Sequence, residues 1–166
     1  MNYQRYILVL VLIVFSFPAR ADDDFTVLYQ RGSWTVFKFD GNKPGDPPSY
    51  CSAKSGNTNA FFELIGLKQV SCLNAEASKW SLRKRKAEGG FFVGGSGFYL
   101  DPVQYFSNGL QYCGSSEMVD IFIDSLANAG GQSIDIYDHK KRKIGSFPAS
   151  GMKTVVRKWN TCKKSL

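Results

Sequence analysis

The chain has 166 residues, of which 43% are hydrophobic and 14% aromatic, and its formal net charge is +7. This length favours one domain, and this much apolar material excludes an intrinsically disordered chain. The 16 glycines and 6 prolines are close to average usage, which excludes collagen-like and low-complexity sequences.

The N-terminal segment has the three parts of a secretory signal peptide. Arg5 provides a positive start, residues 7–15 are an unbroken apolar run, and Ala19-Arg20-Ala21 places small residues where a signal peptidase requires them. As a helix, the apolar run would reach about 14 Å against a hydrocarbon core of about 30 Å, which disfavours a membrane anchor. We therefore predict a signal peptide at 1–21, and a single β-rich domain at 22–166 that is periplasmic or secreted.

From residue 25 to residue 100 the sequence has short alternating, β-branched and aromatic runs that are typical of strands. Turn-forming residues separate these runs, most clearly in the loop at 40–48. Glu88-Gly89-Gly90 and Asp101-Pro102 are expected to end the strands before them. We predict strands at residues 25–29, 34–39, 50–53, 60–67 with a continuation at 69–73, 79–83, 91–93 and 98–100.

After Cys113 the pattern changes to a mixture of helix and strand. Ser115 and Ser116 are good N-caps, apolar residues at helical spacing follow, and Gly130-Gly131 stops that helix. The sequence predicts a helix at 115–128, a hairpin at 133–147 and a short helix near 151–160. The predicted fold is α+β and β-rich, with an antiparallel sandwich or curled sheet packed by one main helix and a short C-terminal helix.

All four cysteines, Cys51, Cys72, Cys113 and Cys162, lie in the predicted mature chain. An even number in an exported protein indicates disulfides. A zinc site would need close pairs such as C-x-x-C, which this sequence lacks, so we predict no metal. Four cysteines allow three pairings, and their spacing does not choose among them.

The residues that could carry catalysis are few. His139 is the only histidine, and it lies beside four cations in a predicted turn, which indicates an exposed turn residue rather than a general base. The glycines at 94–97 lie between strands, so they indicate a turn rather than a phosphate-binding loop, and we predict no cofactor. Carboxylates that could work in pairs in a hydrolase are Glu63, Asp101, Glu117, Asp120 and Asp124, with Asp120 and Asp124 interpreted as the solvated face of a helix.

Basic residues occur in three clusters that could bind an anionic partner if they converged on one face. The two that we select as a candidate binding site are Arg83, Lys84, Arg85 and Lys86, and Lys140, Lys141, Arg142 and Lys143. The third comprises Arg157, Lys158, Lys163 and Lys164, and Trp80 and Trp159 flank two of the clusters. The partner is expected to be a protein, glycan or lipid headgroup, since export disfavours genomic DNA.

The order of elements resembles that of a broad group of small exported proteins of Gram-negative bacteria, of which the invasion-associated locus B family is the best-known name. The features that carry the resemblance are a strand led by Trp34, a cysteine in the next strand (Cys51), and a helix, hairpin and amphipathic helix that ends near Cys162. The resemblance implies an exported β-rich fold and supplies no catalytic residues.

This resemblance also implies a pairing of Cys51 with Cys162, because similar chains carry one cysteine in an early strand and one after the last helix. Cys162 follows Trp159 by three residues and so lies near the apolar face of that helix, which is compatible with the same pairing. The pairing of Cys72 with Cys113 then follows by elimination. The rival is Cys51 with Cys72 and Cys113 with Cys162.

The function that we predict is that of a non-enzymatic exported protein, periplasmic or at the cell surface, that acts by binding an anionic envelope or host component. One alternative is a carboxylate-dependent hydrolase. Another is an inhibitor of a hydrolase, for which the loop at 40–48 is the candidate inhibitory segment.

Overall fold

The computed structural model describes residues 24–41 and 43–166. The predicted signal peptide and its cleavage site lie outside the described residues. The elements in chain order are β1 (Phe25–Arg31), β2 (Trp34–Phe39), β3 (Tyr50–Gly56), β4 (Ala60–Gly66), β5 (Val70–Ala77), β6 (Arg85–Val93), β7 (Ser96–Tyr105), β8 (Gly109–Ser115), α1 (Ser116–Asn128), β9 (Ser133–Tyr137), β10 (Lys143–Pro148) and α2 (Met152–Lys163).

The strands form one antiparallel sheet in the order β1-β2-β3-β4-β5-β8-β7-β6-β9-β10. Strands β3 and β10 are far apart in this order, yet the Ser55 hydroxyl donates to the carbonyl oxygen of Pro148 at 3.2 Å. The rings of Phe62 and Phe147, on β4 and β10, have centroids 6.4 Å apart. The sheet therefore curls without closing into a barrel. This confirms the predicted α+β class and selects the curled sheet over the sandwich.

The core lies between the concave side of this sheet and the two helices. Val36, Ala53, Leu64 and Leu73 face one another across β2, β3, β4 and β5, and each is fully buried. Such a row arises because alternate residues of a strand point to the same side. The helices cover it with apolar residues spaced for one helical face, namely Val119, Ile123 and Leu126 of α1 and Val155, Val156 and Trp159 of α2.

Two disulfides join distant parts of the described chain. Cys51 on β3 is bonded to Cys162 on α2, and Cys72 on β5 is bonded to Cys113, its register partner on β8. This is the pairing favoured from the sequence. Gly66 allows the close approach of α2, because a Cβ atom there would lie only 2.8 Å from the Trp159 ring.

The segment 79–83 is not a strand, contrary to the prediction. The alternation of polar and apolar residues in this segment predicted correctly that Trp80 and Leu82 pack against the core. The Trp80 ring lies across Gly145 of β10, and its Nε1 donates to the carbonyl oxygen of Ile144 at 2.8 Å. The segment thus crosses the mouth of the curled sheet without joining a ladder. Alternation shows which side chains point inward, but it does not show whether a partner strand is present.

Other predicted boundaries were also wrong. Residues 70–77 form a separate strand that pairs with β4 rather than continuing it. Glu88-Gly89-Gly90 does not end a strand, because β6 continues through it with an irregularity between Ala87 and Gly89. Strand β7 likewise runs through Pro102, where β8 does not pair with it, so no ladder bond is lost. Strand β8 was not predicted, and α2 extends to Lys163.

Candidate anion-binding site

The β9–β10 turn is organised around the buried carboxylate of Asp138. Its Oδ1 accepts the backbone N–H groups of Lys140 and Arg142 at 2.8 and 3.0 Å, and its Oδ2 accepts two hydrogen bonds from the Arg142 guanidinium. Burial raises the pKa of Asp138, but the hydrogen bonds from Arg142 and from the turn backbone outweigh it and hold the pKa below its ordinary value. The carboxylate is therefore charged, and its charge is compensated within the turn.

His139 is not the exposed turn residue that the sequence suggested. Its Nε2 lies 2.9 Å from the Arg85 guanidinium, and its ring packs edge-on against Tyr105 with centroids 6.0 Å apart. Arginine can only donate, so Nε2 accepts this hydrogen bond and the ring is the neutral tautomer protonated at Nδ1. His139 thus fixes the position of Arg85, and the nitrogen that could act as a base is occupied.

Tyr105 supports this arrangement from β7. Its hydroxyl donates to the carbonyl oxygen of Glu88 at 2.7 Å, and its ring packs edge-on against His139. Burial, followed by the negative charge of Asp138, raises the pKa of Tyr105 to about 12. The phenol is therefore neutral at physiological pH, and it ties the β9–β10 turn to β6.

These residues surround a pocket of about 180 Å³, which we call the basic pocket. Its cations come from two segments that are more than fifty residues apart in sequence. Arg83 lies just before β6 and Arg85 is its first residue, whereas Lys140 and Arg142 belong to the β9–β10 turn. The remaining lining residues are Ser81, Leu82, Tyr105, Asp138 and His139. Since Arg142 compensates Asp138, Arg83, Arg85 and Lys140 give the pocket a net positive charge.

The other four predicted binding residues do not line the basic pocket. Lys84 and Lys86 are exposed, and Lys86 follows Arg85 on β6 and so points to the opposite side of the sheet. Lys141 places its ammonium 5.1 Å from the centre of the Tyr99 ring. Lys143 forms an ion pair of 2.8 Å with Asp135.

The third basic cluster lies elsewhere, on α2. Arg157 and Lys164 line a groove of about 500 Å³ between α1 and α2. Lys163 instead forms an ion pair with Asp120 and donates to Ser71. Trp159 is buried in the core and Trp80 is bonded to β10, so neither indole is an open ring beside a basic cluster.

Three of the five candidate carboxylates, Glu63, Asp120 and Asp124, lie on two different sides of the sheet. Glu63 lies on the convex side of the sheet and accepts from the Ser52 hydroxyl at 2.5 Å, whereas Asp120 and Asp124 lie on α1 at the concave side. The interpretation of Asp120 as solvated is wrong, because it contacts Lys163 and accepts from the fully buried Ser71 hydroxyl at 3.0 Å. Glu63 is thus kept apart from Asp120 and Asp124, and the hydrolase alternative stays a prediction.

The loop at 40–48, the candidate inhibitory segment, carries bonds of its own. The Gly41 N–H donates to the Ser49 hydroxyl at 3.1 Å, and the Lys43 N–H donates to the Asp46 carboxylate at 2.8 Å. Lys43 also forms an ion pair with Asp24. These contacts are all within the chain and do not indicate a partner protein, so the inhibitor hypothesis stays a prediction.

The sequence interpretation missed Asp138 and Tyr105, which hold the pocket together. One signal was available for the cations. Arg83 and Arg85, like Lys140 and Arg142, are separated by one residue, and in an extended chain this spacing places both members on one side. No sequence pattern could have shown that the two pairs come together, because that depends on β6 lying beside β9.

Comparison of the chain with models of known protein families, with curated proteins and with solved structures found no match. Among residues 24–41 and 43–166, no helix is both long and apolar enough to span a membrane. The same part of the chain contains no group of three or more histidine, cysteine, aspartate or glutamate residues placed to hold a metal ion.

Proposed function

We propose that the protein is a non-enzymatic, exported binding protein whose basic pocket takes an anionic group of an envelope or host component. The observation that supports this is the convergence of Arg83 and Arg85 with Lys140 and Arg142 around one pocket. Three of these guanidinium and ammonium groups have no carboxylate partner among the described residues. Cations gathered in this way repel one another, and a bound anion relieves the repulsion.

The chemistry of the pocket favours binding over proton transfer. A general base needs a free lone pair within reach of the substrate, and the Nε2 lone pair of His139 is used by Arg85. The Tyr105 hydroxyl is similarly used by the carbonyl oxygen of Glu88. Arginine forks that are held in place by such partners suit a planar or tetrahedral oxyanion.

Export is part of this proposal and rests on the predicted signal peptide. Two disulfides are compatible with an oxidising compartment outside the cytoplasm. The resemblance to invasion-associated locus B and related exported proteins stays a prediction. N-terminal sequencing of the exported protein tests the predicted cleavage of the signal peptide, and a chain that begins before Ala19 would contradict it.

The binding proposal is tested with inorganic polyphosphate, an oligoanion without sugar or base. The double variant Arg83→Ser/Lys140→Ser is expected to bind polyphosphate about tenfold more weakly at low salt and with a shallower salt dependence. The matched control is Lys153→Ser/Lys158→Ser, which removes the same charge from exposed positions of α2. Equal weakening in both double variants would show that only net charge matters and would overturn the proposal.

A further inference from the structure

An outward-facing group of three aromatic rings lies on the convex side of the sheet and has no role in the core. Phe92 of β6, Tyr99 of β7 and Tyr137 of β9 lie on the convex side of the sheet, and we call them the convex aromatic patch. Their sequence neighbours Phe91 and Ile136 point into the core and are fully buried, which sets the outward direction of the patch residues. The ring centroids are 5.1, 5.2 and 6.4 Å apart.

The backbone beneath the patch is shaped to let these rings lie across it. Gly90 is the register partner of both Tyr99 and Tyr137. A Cβ atom at Gly90 would lie 2.8 Å from Tyr99 Cε1 and 3.0 Å from Phe92 Cε2. The glycine therefore allows the rings to form one continuous apolar surface, of which Tyr99 is the most open member at 36% exposure.

A charged acceptor borders the patch. Asp135 of β9 is the register partner of Phe92 and points to the same side. Its Oδ1 accepts from the Ser133 and Ser146 hydroxyls at 3.1 and 2.7 Å and contacts Lys143 at 2.8 Å. These contacts converge on Oδ1, so Oδ2 remains for a hydroxyl group of a ligand.

The β9–β10 turn connects the patch to the basic pocket. Lys141 has a φ of 60°, a left-handed conformation that is rare for lysine, and its ammonium lies over the Tyr99 ring. Its neighbours Lys140 and Arg142 line the basic pocket. A single five-residue turn thus supplies cations to both surfaces.

We propose that the convex aromatic patch is a sugar-binding subsite and that the anionic ligand of this protein is an acidic glycan. This inference rests on the proposed function and specifies its ligand. A pyranose ring presents an apolar C–H face that stacks on aromatic carbon, while its hydroxyl groups donate to a carboxylate such as Asp135. A carboxylate or sulfate on that ring meets Lys141, and a further anionic group of the glycan reaches the basic pocket around the β9–β10 turn.

The geometry favours a glycan over a single-stranded nucleic acid. Nucleobases stack on open aromatic faces arranged in succession. Here the rings meet edge to face, with interplanar angles of 65° and 68°, so they cover part of one another's faces and form a patch rather than a series of platforms. Asp135 is an acceptor that matches the hydroxyl donors of a sugar, whereas the backbone of single-stranded DNA has no hydroxyl donor to offer it.

The experiment compares four probes by titration calorimetry: hexagalacturonate, its fully methyl-esterified form, polyphosphate and single-stranded oligothymidylate. Tyr99→Ala is expected to weaken hexagalacturonate binding about tenfold and to leave polyphosphate binding within about twofold. Asp135→Asn keeps the shape of the patch and is expected to weaken only the sugar. The matched control is Phe106→Ala, which removes another exposed ring, 39% accessible, at the β7–β8 turn.

The outcomes separate this inference from the proposed function. Wild-type protein that does not bind hexagalacturonate, or hexagalacturonate binding that neither Tyr99→Ala nor Asp135→Asn weakens, would overturn the glycan subsite. If oligothymidylate binds more tightly than hexagalacturonate and Tyr99→Ala weakens that binding, the ligand of the patch is a nucleic acid and the glycan proposal is wrong. The binding function itself fails if Arg83→Ser/Lys140→Ser leaves polyphosphate binding unchanged or weakens it no more than Lys153→Ser/Lys158→Ser does.

Discussion

Two fully buried indoles in the core differ in a single hydrogen bond. Nε1 of Trp159 donates to the carbonyl oxygen of Cys51 at 3.1 Å, and this bond helps to hold α2 on β3. Nε1 of Trp34 has no acceptor within the part of the chain that the structure describes. A buried donor without a partner loses the hydrogen bonds that water gave it in the unfolded chain, which costs about 1–3 kcal/mol.

This difference predicts unequal costs for the same substitution at the two positions. Trp34→Phe and Trp159→Phe remove the same volume of buried ring, but the first also removes an unsatisfied donor and the second breaks a hydrogen bond. We expect Trp159→Phe to lower the free energy of unfolding by about 2 kcal/mol more than Trp34→Phe. Urea unfolding measures both values, and equal losses would contradict this explanation.

The β9–β10 turn is the element on which both proposed binding surfaces depend. Asp138 is 2% exposed, and it accepts two backbone N–H groups and the Arg142 guanidinium. The Arg142 side chain itself is 69% exposed, so water screens its charge. The buried carboxylate therefore stabilises the turn mainly through the backbone donors.

Asp138→Ala is expected to cost about 3 kcal/mol of stability, because it leaves two turn N–H groups without their acceptor. Arg142→Ala is expected to cost less than about 1 kcal/mol, because the backbone bonds to Asp138 persist. Both values come from denaturant unfolding. Similar losses in the two variants would mean that the exposed ion pair, not the backbone acceptor, holds the turn.

The same element predicts an acid-dependent loss of stability. For Asp135, as for Asp138, burial raises the pKa, but hydrogen bonds, led by that from Lys143, outweigh it and lower the pKa. A carboxyl group whose pKa is lower in the folded than in the unfolded chain stabilises the fold. This stabilisation is complete above the pKa of the unfolded chain, 3.8, and is lost as the pH falls through the pKa of the folded protein.

The free energy of unfolding should therefore fall with acidification below pH 3.8, and this fall should be smaller in Asp135→Asn, which cannot titrate at that position. Thermal unfolding across this range of pH measures the slope in both proteins. Asp46→Asn is the control, since this exposed-loop carboxylate bonds only within its own turn. An unchanged slope in Asp135→Asn would show that other carboxylates carry the effect.

At the scale of the whole molecule, the two disulfides close loops of different length and lie at different depths. Cys51–Cys162 spans 111 residues and is buried, whereas Cys72–Cys113 spans 41 residues and Cys113 is exposed. The longer bridge holds α2, which ends the described chain, on the sheet. The shorter bridge lies on the convex side, between strands that already pair.

Loop entropy predicts that Cys51→Ala/Cys162→Ala loses about 5 kcal/mol and Cys72→Ala/Cys113→Ala about 4 kcal/mol. Exposure predicts that a mild reductant opens Cys72–Cys113 first in the native protein, because a thiolate must reach the sulfur that it attacks. Alkylation followed by peptide mapping identifies the opened pair. Early labelling of Cys51 or Cys162 would contradict the burial argument.

The sequence by itself determined the local features of this protein. Residues 34–39 and 133–138 alternate in polarity, the residues after Ser115 have helical spacing, and Gly94-Gly95 adopts the positive φ values of a tight turn. These predictions were correct because each rests on interactions between residues close in sequence. The strand at 79–83 was wrong because a ladder needs a partner, and Trp80 bonds to β10 instead.

The tertiary structure alone decided which distant residues meet. The curl of the sheet depends on how ten strands twist and pair, and it cannot be read from any one of them. The basic pocket exists because β6 pairs with β9, which brings Arg83 and Arg85 to the turn that carries Lys140 and Arg142. Lys84 and Lys86 belong to the same charged run but do not line the pocket, and Lys86 points away because a strand alternates the direction of its side chains. The composition shows that the chain is basic. Only the pairing of β6 with β9 brings four of the cations together around one pocket.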